Sequence, residues 1–137
     1  MNLIRKTYGT TEVQITSFQS SKGITEYHIF FQQTDCMEDF HTQLQHIQDV
    51  YTHSVEELPG NPATIFRRYF LSDVTNQTDE LMERERLFPY CALSIVQQAP
   101  MNGTKIALWA WLQTGVQTQV LPSGLFEAHH GAYGQLL

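Results

Sequence analysis

"LFPYCALSIVQQAP", residues 87–100, sets the frame for the rest of the chain. Pro89 opens a short alternating run, Pro100 closes it eleven residues later, and Cys91 stands just inside the entrance. Proline has no N–H to give to a ladder and is confined to strand starts and edges, so the interval reads as one strand, "CALSIVQQ". Before it, residues 73–88 read as a short polar helix with Asp73, Thr75 or Asn76 as its cap. Earlier still, "ATIFRRYFLSD" is a near-continuous apolar strand interrupted by two arginines. After it, Asn102-Gly103 is a hairpin signal, which predicts that "TKIALWAWLQ" pairs directly with "CALSIVQQ".

The first third is simpler. "NLIRKTY" and "EVQITSF" alternate on either side of Gly9-Thr10, which is a hairpin pattern. "SSKG" turns the chain into "ITEYHIFFQQ", whose Tyr27, Ile29 and Phe31 share a face. Asp35 with Glu38 three residues on predicts a capped helix start there. Phe40, Leu44, Ile47 and Tyr51 recur at helical spacing, and Pro59-Gly60 ends the helix near Leu58. Strand-strand-strand-helix-strand-helix-strand-strand predicts an α+β fold, a mixed sheet of about six strands with both helices on one face. Residues 1–115 form one domain in this reading. Residues 116–137 are a C-terminal extension, with "VQTQVL" as an edge strand before an irregular tail.

Of 137 residues, 42% are hydrophobic and only 16% charged, so much of the exterior is polar but neutral. Fourteen acids against eight bases give a net charge of −6, and basic pairs occur only at Arg5-Lys6 and Arg67-Arg68. Backbone binding to nucleic acid needs clustered cations, so that function class is set aside. Cys36 and Cys91 have no metal-type spacing and read as two reduced thiols. The N-terminus has no apolar signal core, and no run approaches the roughly 20 apolar residues that cross a bilayer. The expectation is a cytoplasmic protein with no membrane partner.

Four stretches together resemble the Rid/YjgF family, also called translation initiation inhibitors or L-PSP endoribonucleases. "EDFHTQLQHIQDVYTHSV" is similar to the family's first helix, and "IFRRYFLSD" to its valine-rich strand ending in Leu-Thr-Asp. "PYCALSIVQQAP" keeps the proline-to-proline spacing of its signature strand, and "KIALWAW" takes the place of its last long strand. The resemblance implies a chorismate-mutase-like fold, a ring-shaped homotrimer, and ligand clefts between subunits. Active members hydrolyse reactive imines or enamines, holding the substrate carboxylate on an arginine two residues after the signature proline. That position is Cys91 here, and a thiol is neutral at pH 7 unless its pKa is lowered. The family's Ser-Gly-Gln after the third strand reads Phe31-Gln32-Gln33. Its helix-two asparagine falls at Glu83, and its last-strand glutamate near Ala107 or Trp109. The resemblance therefore implies a trimer that binds a small carboxylate-bearing or aromatic metabolite without the usual imine deaminase activity. Two alternatives stand beside it: an enzyme of altered chemistry, chorismatase-like or an enamine/imine hydrolase, and an interaction subunit with no ligand. No cofactor and no metal is implied.

Five residues, Arg68, Glu83, Cys91, Trp109 and Trp111, are candidates for ligand binding. Arg67 and Arg68 point to opposite sheet faces, and Arg68, beside Phe66 and Phe70, is either a relocated carboxylate clamp or the partner of Glu83 or Glu85. Cys91 is a reactive thiol at a cleft mouth or a small buried apolar residue. Trp109 and Trp111 share a face apart from Leu108, Ala110 and Leu112, which suits an intersubunit seam or a monomer core. His41, His46 and His53 lack helical metal spacing and read as surface or interface residues, whereas His129-His130 beside Glu127 is a better metal or acid-base candidate in an irregular segment. Ser94 and Thr104 have no His-Asp spacing that would make a triad.

Overall fold

The computed structural model describes residues 2–20 and 22–115. The expected edge strand "VQTQVL" and the His129-His130 pair lie outside the described residues. Strands β1 (Asn2–Tyr8), β2 (Thr11–Gln19) and β3 (Thr25–Gln33) form an antiparallel meander. Helix α1 (Phe40–Glu57), strand β4 (Ala63–Leu71), helix α2 (Val74–Glu85), and strands β5 (Ala92–Gln97) and β6 (Ile106–Gln113) follow. The six strands make one mixed sheet in the order β1-β2-β3-β6-β4-β5. The α+β architecture is as the sequence predicts.

The hairpin expected at Asn102-Gly103 is not formed. β4 inserts between the two strands: β5 runs parallel to β4, while β6 runs antiparallel to both β4 and β3. β4 and β6 are apolar on both faces, so each gains most from a central position, and the short β5 is left at the edge. Asn102 instead ties its loop to β3, donating from Nδ2 to the Gln33 carbonyl at 2.7 Å while its Oδ1 accepts from Thr104. Gly103 still turns the chain with φ +84°.

α1 also begins later than expected. Asp35 spends its carboxylate on the Met37 N–H, so it closes a local turn rather than a helix. Asp39 is the cap, accepting from Thr42 N at 2.8 Å, and the Lys105 ammonium holds the preceding turn by the Cys36 and Glu38 carbonyls. The far end falls at Leu58, as expected. In α2 the cap is Asp73, and the helix stops at Glu85, so Leu87 and Phe88 lie beyond it. Leu44, Ile47, Tyr51 and Leu81 bury against Val13, Ile15, Ile29, Phe31, Tyr69, Leu108 and Leu112 of the sheet. Side chains of this kind contribute about 1.5–3 kcal/mol each on full burial.

Candidate functional site

The alternation of β4 sends its two arginines into unlike surroundings. Arg67 enters the helix-covered layer and is only 2% exposed. Its Nε and Nη2 donate to Glu85 Oε1 at 3.1 and 2.8 Å, Nη1 donates to the Tyr51 hydroxyl at 3.0 Å, and Nη2 also reaches the Pro89 carbonyl at 3.3 Å. Tyr69, fully buried, donates its hydroxyl to Glu85 Oε2 at 2.5 Å. Burial alone would push the Arg67 pKa down, but Tyr51, Cys91, Glu85 and Tyr69 around it raise it above its ordinary value. The buried guanidinium is thus charged and committed through four hydrogen bonds inside the layer, out of reach of a ligand on the open face.

Cys91 borders the same network and is 5% exposed. Burial pushes its thiol up to about 11 from an ordinary 9.0, with Arg67 pulling the other way. At neutral pH it is a protonated, compact apolar group. One prediction follows for alkaline conditions. A raised folded-state pKa adds stability that is fully present below the unfolded value and lost as pH rises through the folded one, so Cys91 contributes below pH 9.0 and ceases to contribute through about 11. Chemical denaturation across that window should show a falling limb that Cys91→Ala makes shallower. Near neutral pH, iodoacetamide should label the exposed Cys36 and spare Cys91 in the folded protein. Equal labelling of both thiols would contradict the burial.

Arg68 points the other way, onto the sheet face that neither helix covers. Two rows of side chains cross that face. In one, register places Gln14, Phe30, Trp109, Arg68 and Ser94 side by side; in the other stand Thr16, His28, Trp111, Phe66 and Ala92. A register shift between Thr64 and Phe66 brings Phe66 opposite Trp111. The Arg68 guanidinium lies 5.2 Å from the Phe66 ring centroid and 6.0 Å from that of Trp109, and its Nε donates to Ser94 Oγ at 3.3 Å. Among the described residues it has no carboxylate partner. His28 stacks on Trp109 and Trp111 at 5.7 and 6.1 Å and pairs with Glu26 at 2.8 Å. Phe30 meets Phe70 edge-on at 6.3 Å. The result is a partly buried aromatic surface carrying Arg68, a cation with no carboxylate partner among the described residues.

Of the five candidates, the fold brings together Arg68, Trp109 and Trp111. Cys91 lies in the helix-side layer with Arg67, and Glu83 is exposed on α2, away from the open face. Glu85 pairs with Arg67 and not with Arg68. The reading of the sequence missed His28 and Phe30, although the alternation that buries Tyr27, Ile29 and Phe31 puts both on the opposite face. The helical histidines hold separate partners: His41 meets Glu80, His46 meets Glu38 at 3.3 Å, and His53 meets Glu57 at 3.4 Å. Among the described residues no group of three or more His, Cys, Asp or Glu could hold a metal ion, and no helix is long and apolar enough to cross a membrane.

No family model and no curated protein matches the chain. Among solved structures, the chain is similar in fold to a candidate translation initiation inhibitor from Salmonella typhimurium, with a TM-score of 0.53 at 13% identity, covering 80% of this chain and 95% of that one. The likeness is one of fold.

Proposed function

We propose that this chain is a divergent Rid/YjgF-like subunit. In this reading three copies close into a ring through their open sheet faces and bind a small carboxylate-bearing or aromatic metabolite where neighbours meet. The observation that carries the proposal is Arg68, a cation with no carboxylate partner among the described residues, laid across Phe66 and Trp109. A planar guanidinium on aromatic rings is suited to a flat acid: its outer N–H groups take the carboxylate while the rings stack on the ligand body. A sheet that is apolar on both faces needs a second layer, and α1 and α2 occupy only one of them. The sheet of another copy supplies that layer. The usual imine chemistry is not expected, because the thiol of Cys91 is neutral and Arg67 beside it is committed to Glu85, Tyr51 and Pro89.

The second reading, a hydrolase of altered chemistry, is favoured by the Glu26–His28 pair, a ready general base stacked on the same Trp109 that carries Arg68. Turnover of chorismate or 2-iminobutyrate, lost in His28→Ala, would select it. A subunit without ligand would have Arg68 fully paired. A thermal-shift screen of keto, imino and aromatic acids tests the leading reading. At least one aromatic carboxylate should raise the melting temperature of the wild type and not of Arg68→Ala, and its neutral amide should do neither. A flat response across the panel, or one that survives Arg68→Ala, sinks the assignment.

A further inference from the structure

We infer that the free edge of β1 takes up an extended peptide as an added antiparallel strand, with an acid opposite Arg5 and apolar residues opposite Leu3 and Ile4. β1 is one end of the sheet, and six of its seven residues are exposed, with Tyr8 half-buried. Its register with β2 runs unbroken from Asn2 to Tyr8, so no bulge twists the edge away, and it contains no proline. The opposite edge, β5, is shorter, stands between Pro89 and Pro100, and is half-buried along most of its length. β1 is therefore the edge left open to strand addition.

The parity of the ladder fixes which groups are on offer. The Thr10 carbonyl accepts from Thr34 N at 2.9 Å, on the β3 side, so the backbone of Thr11 faces β1 and pairs with Tyr8. Alternation then turns the N–H and C=O of Ile4, Lys6 and Tyr8 inward to β2, and those of Leu3, Arg5 and Thr7 outward. The side chains choose the sequence of the added strand. β1 carries two cations and no acid. Lys6 Nζ lies 3.6 Å from Glu57, whereas Arg5 has no ion pair among the described residues, and Glu12 on the same face stands opposite Thr7. Leu3 and Ile4 are 48% and 44% exposed, one on each face. An acid directly across from Arg5, and β-branched residues across from Ile4 and Leu3, pair favourably in a sheet. A second copy of β1 in full register would instead set Arg5 against Arg5, like charges directly opposite. The backbone bonds lie in the plane of the sheet, so the site does not rest on the ring proposed above.

Titration calorimetry of the full chain with the peptide acetyl-Thr-Thr-Thr-Glu-Val-Val-Thr-amide tests this. Run antiparallel to β1, the peptide sets its glutamate opposite Arg5 and its valines opposite Ile4 and Leu3. Binding should saturate, and should weaken about three- to tenfold when lysine replaces the glutamate. Arg5→Glu should invert that order and prefer the lysine peptide. N-methylation of the glutamate amide, which faces β1, should abolish binding, while N-methylation of the next valine, whose amide faces solvent, should spare it. No saturable binding, equal affinity for the two peptides, an order that Arg5→Glu does not invert, or equal loss from the two methylations would overturn the proposal. A wild-type mass that Arg5→Pro halves would overturn it in favour of a second copy at the same edge. Arg68→Ala should leave peptide binding intact, which separates this edge from the carboxylate site.

Discussion

Replacing Glu85 with alanine should cost about 3–5 kcal/mol of stability, the range for breaking one partner out of a buried ion pair. Both side chains are nearly sealed, at 3% for Arg67 and 6% for Glu85. The loss strands two groups together. Arg67 keeps its charge with only the Tyr51 hydroxyl and the Pro89 carbonyl as acceptors, and the Tyr69 hydroxyl loses the oxygen it donates to. The Arg67→Met, Tyr69→Phe, Glu85→Leu combination should recover most of the loss, because it removes the polar groups along with their need for one another. Urea denaturation measures both. A cost below about 1 kcal/mol for Glu85→Ala would mean that water reaches the pair and that the network does not hold α2 against the sheet.

The second large effect concerns assembly. Wild-type protein should sediment at three times the mass of one chain, and Trp109→Glu together with Trp111→Glu should reduce it to a single chain that remains folded. Both rings that would fill the proposed seam are lost, and although the carboxylate at position 109 would face Arg68, the one at position 111 would enter the seam with no lysine or arginine in register beside it, a cost large enough to dissolve an interface of standard size. The folded state should survive because both tryptophans lie on the open face, whereas Leu108, Ala110 and Leu112, on the other face of β6, build the core. Far-UV circular dichroism separates dissociation from unfolding. A wild type that sediments as one chain would remove the ring, and with it the interfacial cleft. Arg68 would then be an ordinary surface cation.

The order of elements was readable because each signal is local. Stripes at Phe40, Leu44, Ile47 and Tyr51 name a helix, alternation through Tyr27, Ile29 and Phe31 names a strand, and Pro59-Gly60 names a stop. Even the opposition of Arg67 to Arg68 needs nothing beyond the twofold period of a strand. The position of the α1 cap was misread for the same reason. Asp35 and Asp39 are equally good caps by composition, and only the contacts of Lys105 with the Cys36 and Glu38 carbonyls fix the turn that hands the role to Asp39.

The candidate site was half legible. Arg68, Trp109 and Trp111 were found because large or charged side chains on a strand face stand out. Their neighbour His28 was not, because it meets them only when β3 lies beside β6, a pairing that spans most of the chain. Glu83 was aligned with a family position, yet the turn of α2 leaves it exposed while Glu85 turns inward. The sequence by itself determined which segments are helix or strand and which residues share a face, since both follow from backbone periodicity over a few residues. The tertiary structure alone decided that β4 separates β5 from β6 and that Glu85 belongs to Arg67. Those outcomes depend on competition among distant strands for the buried centre of one sheet, and no local pattern records who wins it.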